Sequence, residues 1–181
     1  ASDPIEVGAH LVEPAPTGRG LDDPRCLLRQ QRAVGPLQLG DHAPRGVREA
    51  GLAGEWLRDT LPAIEHVLCS SAARTRETLA RTQISAPVSY VDRLYSATPG
   101  AMIDEINRVA DEVATLLVVG HEPTVSHVAL GLAGPGATDR DAVDRISMKF
   151  PTSGIAVLRV PGGWARLELN SAELVSFHVP R

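Results

Sequence analysis

The sequence predicts one α/β domain, a three-layer sandwich with a mostly parallel central sheet flanked by helices and a β meander at its C-terminal end. Three observations predict it. Short apolar runs alternate with helical patterns from residue 44 onward. The run at 116–119 is apolar without alternation, as in a strand that is buried on both faces. After Gly154, three strand-like runs follow one another without a helical pattern between them.

The composition excludes several classes of function. The chain has 181 residues, of which 43% are hydrophobic and 22% charged, as expected for one domain with an ordinary core. Its formal net charge of -4 indicates no general attraction for nucleic acid or an anionic membrane. Cys26 and Cys69 lack Cys-x-x-Cys spacing, so neither a disulfide framework nor a thiolate metal site is predicted.

No segment of the sequence predicts export or membrane insertion. No apolar run approaches the ~20 residues of a membrane span, and residues 1–14 lack the features of a signal peptide. We therefore expect a soluble, cytoplasmic protein. No cofactor is predicted, and the sequence leaves the oligomeric state open.

The N-terminal part has the weakest pattern. Residues 1–24 contain repeated Pro and Gly with no helical or strand period, which predicts an irregular N-terminal arm before a single domain at 25–181. Residues 26–28 form a short apolar run that ends at Arg29, a candidate first strand. A loop is predicted from Gln30 to Ala43.

The rest of the chain alternates between strands and helices. Strands are predicted at 66–69, within 88–94, and at 115–119, followed by C-terminal runs at 155–160, 164–169 and 172–179. Helices are predicted at 44–59, 72–82, from Pro99, from Pro123 and at 138–148. Residues 161–163 predict a hairpin turn between the first two C-terminal strands.

Hydroxyl side chains precede three of these helices and predict their N-caps. Ser70-Ser71 precedes the helix at 72–82, and Thr98 precedes the helix opened by Pro99. Thr138, with Asp141 three residues later, has the pattern of a capping box.

Basic residues stand just beyond three predicted strands. Arg29 and His121 each follow a strand, and Arg74 lies in the first turn of the next helix. In open α/β sheets, ligands bind at the carboxyl ends of strands, close to helix N-termini that favour anions. Two guanidiniums bind phosphate oxygens through paired N–H donors, and Ser70 and Ser71 would add uncharged donors. The pattern therefore predicts a site for a phosphoryl group.

Each of these residues also has a simpler interpretation. Arg74 fits a surface ion pair with Glu77 at i+3, worth only ~0.3 to 0.5 kcal/mol. His121 fits a histidine that closes a turn. A histidine metal site is the least favoured, because no pair of histidines has i, i+4 spacing.

Longer motifs carry a resemblance to a known family. The strings SSAARTRET at 70–78, VVGHEPT at 118–124 and FPTSG at 150–154 resemble the histidine phosphatase superfamily, specifically its small SixA-type phosphohistidine phosphatases. The string APRGVREAGLAGEWL at 43–57 is similar to the first helix of that group. The resemblance covers roughly residues 43–160 and implies a phosphoglycerate-mutase-like fold.

The resemblance also implies a mechanism without a metal. A histidine in an Arg-His motif at the end of the first strand attacks phosphorus, and water then hydrolyses the phosphohistidine. Two arginines and a second histidine hold the phosphoryl oxygens. Residue by residue, Arg29 resembles the first arginine, Arg74 the second arginine and His121 the second histidine. The SixA-type members lack a separate acid, which suits an imidazole leaving group, and Glu122 is interpreted as a helix-start residue.

The chain departs from the family at the nucleophile. Gln30 stands where the family has histidine, and a glutamine amide is not basic enough to form a phosphoenzyme. Three interpretations stay open. The protein is a pseudo-phosphatase, or another histidine such as His42 replaces the nucleophile, or the residues before Ala43 are not the native reading frame.

The resemblance thus predicts a phosphatase that hydrolyses phosphohistidine or another small phosphorylated substrate. The alternative is an inactive pseudo-phosphatase that binds phosphorylated ligands or proteins. The predicted catalytic residues are Arg29, Arg74 and His121, and the predicted substrate-binding residues are Gln30, Ser70 and Ser71.

Overall fold

A computed structural model describes residues 8–14 and 44–181, with side chains from Arg45 onward. The predicted first strand at 26–28, together with Arg29, Gln30 and His42, lies outside the described residues. The strands are β1 Gly8–Pro14, β2 His66–Ser70, β3 Val88–Val91, β4 Leu116–Gly120, β5 Ile155–Val160 and β6 Glu173–His178. The helices are α1 Pro44–Thr60, α2 Ala73–Thr82, α3 Pro99–Ile106, α4 Thr124–Leu132 and α5 Arg140–Met148.

The six strands form one sheet in the order β3-β2-β4-β1-β5-β6. β2 runs parallel to both β3 and β4, and β1 runs parallel to β5. β1 is antiparallel to β4, and β6 is antiparallel to β5. The predicted α/β class with a mostly parallel sheet is confirmed.

Helices cover both faces of this sheet. Ala53 and Leu57 of α1 pack with Leu79 of α2 on one face. On the other face, α3, α4 and α5 form a second and larger cluster. All five residues of β4 are buried, since this strand lies inside the sheet and is covered on both sides. The predicted three-layer arrangement is confirmed, and none of the described helices is long and apolar enough to cross a membrane.

The structure differs from the predicted arm at residues 1–24. Residues 8–14 form strand β1, which pairs with β4 on one side and with β5 on the other. Without this pairing, β4 and β5 would each leave a row of backbone N–H and C=O groups unsatisfied inside the sheet. This tertiary effect leaves no mark on the local sequence pattern. The boundary of the domain at residue 25 stays a prediction.

The predicted C-terminal meander is wrong in its middle strand. Residues 164–169 contain a 3₁₀ helix, Trp164–Arg166, and β5 pairs directly with β6. Trp164 and Leu167 are both buried, whereas Leu169 is 59% exposed, so burial follows a spacing of three and not the alternation of a strand. The Trp164 indole N–H donates to the carbonyl of Val113 at 2.7 Å, which fixes the segment against the core.

Two of the three predicted N-caps also differ. Ala72 occupies the N-cap of α2, and Asp139, not Thr138, caps α5 by accepting from two backbone N–H groups. Thr98 caps α3 as predicted, since its hydroxyl accepts from the backbone N–H of Ala101. The shift at α2 leaves Ser70 inside β2, where its hydroxyl accepts from the Ala72 N–H at 3.4 Å.

A close approach between α1 and α2 gives a testable prediction for Gly54. A Cβ at this position would lie 2.0 Å from the backbone oxygen of Thr82, which cannot move without shifting α2. Gly54→Ala should therefore lower the free energy of unfolding by about 2 to 4 kcal/mol. Gly51→Ala is the matched control on the same helix, because nothing lies within 4 Å of its Cβ. It should raise stability by about 0.5 to 1 kcal/mol.

Urea unfolding followed by circular dichroism checks both variants. Equal stabilities for the two would contradict the close packing of α1 against α2.

Candidate active site

The predicted site residues beyond residue 44 lie along one edge of the sheet, the edge formed by the ends of its strands and not by an outer strand. β2 and β4 are neighbouring parallel strands, so their carboxyl ends meet at the same edge. Cys69 lies opposite Val119 in this register, which places Ser70 beside Gly120. His121 follows directly after β4.

A hydrogen bond joins two of the predicted residues across this edge. His121 Nε2 lies 2.9 Å from Ser70 Oγ, and the tautomer of the ring decides which of them donates. Ser70 is fully buried, and His121 is partly buried. The bond fixes the direction of the imidazole, so the simple interpretation of His121 as a residue that only closes a turn leaves this contact unexplained.

The chain turns sharply after β4, and contacts within this turn fix the backbone of His121. A Cβ on Gly120 would lie 2.8 Å from Met102 Cε and 3.1 Å from Val125 Cγ2, so a glycine lets α3 and α4 approach the strand end. The His121 carbonyl accepts from the Val125 N–H at 3.1 Å. The Thr124 hydroxyl donates to the Ala97 carbonyl at 2.6 Å and joins the start of α4 to the loop before α3.

Glu122 serves the start of α4. Its Oε2 accepts from the backbone N–H of Ser126 at 2.9 Å, close to the helix N-terminus where a carboxylate is favourable. The prediction of a helix-start residue is confirmed. Pro123, predicted in the first turn, instead occupies the N-cap after a cis Glu122–Pro123 peptide bond.

Tyr95 was not predicted as part of this region. Its ring meets the His121 imidazole edge to face, with centroids 5.5 Å apart and planes at 75°. The side chain is 65% exposed, so it forms an outer wall beside the histidine. A tyrosine in a polar loop gives no periodic signal, and only the tertiary structure brings it to His121.

The N-terminus of α2 reaches the same edge. Thr75 Oγ1 donates to the Ser70 carbonyl at 2.7 Å and to the Ala72 carbonyl at 2.9 Å, which ties the first turn of α2 to the end of β2. Arg74 is exposed in that first turn, and Ser71 lies half-buried between strand and helix. Because Ala72 has no side chain able to cap the helix, its N-terminus favours an anion.

Cys69 lies next to Ser70 but is unsuited to nucleophilic chemistry. The residue is buried, and burial raises the pKa of its thiol to about 12. A thiol with such a pKa carries almost no thiolate at neutral pH. We predict that Cys26→Ser protein will not react with Ellman's reagent at pH 8 until it is unfolded. Rapid labelling of the folded variant would show that Cys69 is accessible and would contradict its burial.

Among residues 8–14 and 44–181, no group of three His, Cys, Asp or Glu side chains could hold a metal ion. The predicted site residues at this edge are a histidine, hydroxyl groups and a guanidinium beside a helix N-terminus.

Comparisons with known proteins place the chain in a family. No family model matches the sequence. An uncharacterised protein of Mycobacterium tuberculosis is 59% identical over 158 residues, covering 85% of this chain and 100% of that protein. An uncharacterised protein of Mycobacterium leprae is 62% identical over 150 residues, covering 81% and 92%.

Solved structures decide the family. A Nakamurella multipartita protein assigned as phosphohistidine phosphatase SixA is 34% identical, covers 98% of this chain and 99% of its own, and superposes with a TM-score of 0.72. The chain belongs to the histidine phosphatase superfamily. A protein histidine phosphatase SixA in complex with tungstate has the same fold, with 20% identity, a TM-score of 0.62, and coverage of 95% and 97%. The predicted superfamily and its phosphoglycerate-mutase-like fold are confirmed.

Within this superfamily fold, the structure brings some predicted site residues together and leaves others outside. Ser70 and His121 are in contact, and Ser71 and Arg74 lie at the same strand-helix junction. Arg29 and Gln30 lie outside the described residues. The catalytic and substrate-binding roles of all six residues stay predictions.

Proposed function

We propose that this protein is a SixA-type phosphatase that hydrolyses phosphohistidine in a protein or another small phosphorylated substrate. One observation carries the proposal. The His121 imidazole and the Ser70 hydroxyl meet at 2.9 Å beside the N-terminus of α2, at the edge of the sheet where α/β proteins bind ligands.

Three kinds of donor at this edge suit a phosphoryl group. Arg74 supplies a guanidinium, which binds two oxygens at once, and the first turn of α2 supplies backbone N–H groups. His121 in its protonated form adds a positive charge, held in place by Ser70. As negative charge builds on the equatorial oxygens in the transition state, these fixed donors stabilise it without reorganisation. Arg29 and Gln30 join this set in the proposal on the strength of the family resemblance.

The reaction proceeds in two displacements. A histidine nitrogen attacks phosphorus, the P–N bond to the substrate breaks, and the substrate ring, which was protonated beforehand, leaves as neutral imidazole. Water then attacks the phosphohistidine, the P–N bond breaks, and the proton from water passes to the departing histidine nitrogen, so that inorganic phosphate is released and the free histidine is regenerated. Because Gln30 cannot attack, the proposal assigns the first step to another histidine, with His42 as the candidate from the sequence.

An imidazole leaving group explains why no dedicated acid is needed. A protonated phosphohistidine leaves as neutral imidazole, whereas an alkoxide needs a proton from a nearby acid. Glu122, the carboxylate beside His121, is engaged with the backbone of α4. We therefore expect faster turnover of phosphoramidates than of alkyl phosphate monoesters.

Phosphoenzyme trapping tests the proposal. The protein is incubated with phosphohistidine that carries ³²P, quenched in alkali and digested, and the labelled peptide is identified. We expect release of phosphate and a label that is stable in alkali and lost in acid. The absence of both turnover and label would contradict the enzymatic function.

Gln30 favours a second candidate function, a phosphate-binding protein without turnover. This alternative predicts that tungstate or phosphate binds in isothermal titration while phosphohistidine is not hydrolysed. Gln30→His should then create turnover, because it restores the residue that the family uses at this position. If the unaltered protein already hydrolyses phosphohistidine, the alternative is excluded.

A further inference from the structure

A basic pocket lies on the face of the sheet covered by α5, and none of its lining residues belongs to the candidate active site. It has a volume of about 430 Å³ and is lined by Arg145, Met148, Lys149, Pro151, Phe177, Val179 and Arg181. None of the described residues that line it is an aspartate or a glutamate. We propose that this basic pocket binds an acidic segment of the phosphorylated protein substrate, an inference that rests on the proposed function.

The pocket combines positive charge with apolar surface. Arg145 lies over the Phe177 ring at 5.2 Å, and its contact with Asp141 at 3.7 Å joins two exposed side chains, so it neutralises little of the charge. Lys149 is exposed at the end of α5. Arg181 is exposed as well and adds a third cation to the lining.

The apolar part of the pocket points to a peptide and not to a small anion. Met148 is 84% exposed although it is large and hydrophobic, and a flexible thioether adapts to varied apolar side chains. Val179 extends the apolar surface beside it. An acidic segment with one apolar side chain satisfies both properties, because its carboxylates meet the cations while its apolar group covers Met148.

The positive charge of Arg145 also acts on His178, a residue near the pocket. His178 stacks on Trp56 with centroids 4.4 Å apart. Its pKa is lowered, first by burial and second by the positive charge of Arg145. Arg145 is thus close enough to the end of β6 to disfavour a second cation there, and for the same reason it favours an anion.

The strand register places the pocket at the same edge of the sheet as His121. His178 lies opposite Ile155, Ile155 opposite Ala9, and the neighbouring Gly8 opposite Gly120. β4 and β6 are separated by three strand spacings, or about 15 Å. A standard protein interface of about 800 Å² per partner has a radius of roughly 16 Å. A protein with its phosphohistidine at His121 is therefore large enough to reach the pocket.

Two synthetic peptides test this inference. Both carry one phosphohistidine and a Gly/Ser spacer of about five residues, which spans the separation when extended. One ends in Glu-Glu-Leu-Glu-Glu and the other in Gln-Gln-Leu-Gln-Gln. We expect the acidic peptide to have a KM about tenfold lower, with similar kcat, and 0.5 M NaCl to reduce the difference.

Matched charge reversals at the two ends of α5 show whether the difference in KM between the peptides depends on the pocket. Lys149→Glu should remove most of the difference in KM, whereas Arg140→Glu, exposed at the opposite end of the same helix, should preserve it. Neither variant should change the hydrolysis of free phosphohistidine. Equal KM values for the two peptides in the unaltered protein, or a difference that survives Lys149→Glu, would overturn the inference.

A binding experiment separates this inference from the proposed function. A fluorescein-labelled acidic peptide without phosphate is titrated with the protein and followed by anisotropy. If phosphohistidine is not hydrolysed but Lys149→Glu weakens peptide binding by fivefold or more, the proposed activity fails and the pocket stands. The pocket fails if the unaltered protein does not bind the peptide or if Lys149→Glu leaves Kd unchanged.

Discussion

Replacing His121 with alanine is expected to lower kcat/KM for phosphohistidine by about 10²- to 10³-fold. The imidazole is fixed by Ser70 at the strand edge, where it would stabilise charge on the phosphoryl oxygens. Loss of one fixed donor of this kind costs catalysis by a factor of that order. Initial rates of phosphate release, measured over a range of substrate concentrations, give the value.

His127→Ala is the control for this variant. His127 is exposed on α4, a short distance along the chain from His121, and its replacement should leave kcat/KM within about twofold. The free energy of unfolding of His121→Ala should fall by about 1 to 3 kcal/mol, because the buried Ser70 hydroxyl loses this partner. Full activity of folded His121→Ala protein would show that His121 is not at the phosphoryl site.

Replacing Arg74 with alanine is expected to weaken the binding of tungstate or phosphate by about 10²-fold. Arg74 is exposed in the first turn of α2, beside the helix N-terminus. A guanidinium binds an oxyanion through two parallel N–H groups, and hydrogen bonds to charged groups contribute about 1.5 to 3 kcal/mol each. Isothermal titration calorimetry measures the change directly.

Two further variants show whether this effect is specific. Arg74→Lys keeps the charge but loses the planar pair of donors, so it should recover only part of the affinity. Arg81→Ala, in the last turn of the same helix, removes the same charge at the far end and should leave the affinity within about twofold. An unchanged affinity in Arg74→Ala would remove the anion site from this end of α2.

From residue 44 onward, the sequence predicts the helices and most strands of this fold well because their local patterns agree with their tertiary positions. The apolar run of β4 is buried on both faces, as its lack of alternation predicts. Thr98 and Pro99 open α3 because capping is a local effect.

The errors arise where distant parts of the chain decide the structure. Residues 8–14 form a strand through backbone pairing with β4 and β5, which no local periodicity reports. Trp164 turns a strand-like segment into a buried 3₁₀ turn through its bond to Val113. Both cases show tertiary contacts overriding local propensity.

The candidate site likewise has one part that the sequence predicts and another part that depends on tertiary contacts. A glycine and a histidine after a buried strand, and serines before a helix, mark Ser70 and His121 in the sequence. Their contact depends on the pairing of β2 with β4, which the sequence implies only through the alternation of strands and helices. Tyr95 reaches His121 from a loop and has no sequence signal.

The central claim is that the junction of β2, β4 and α2 binds a phosphoryl group. A crystal structure of this protein soaked with tungstate tests it most directly. We expect the oxyanion to lie within about 3 to 3.5 Å of the His121 imidazole and of the Arg74 guanidinium, the range of direct hydrogen bonds and near-attack contacts. Tungstate bound elsewhere, with this junction empty at saturating concentration, would contradict the claim.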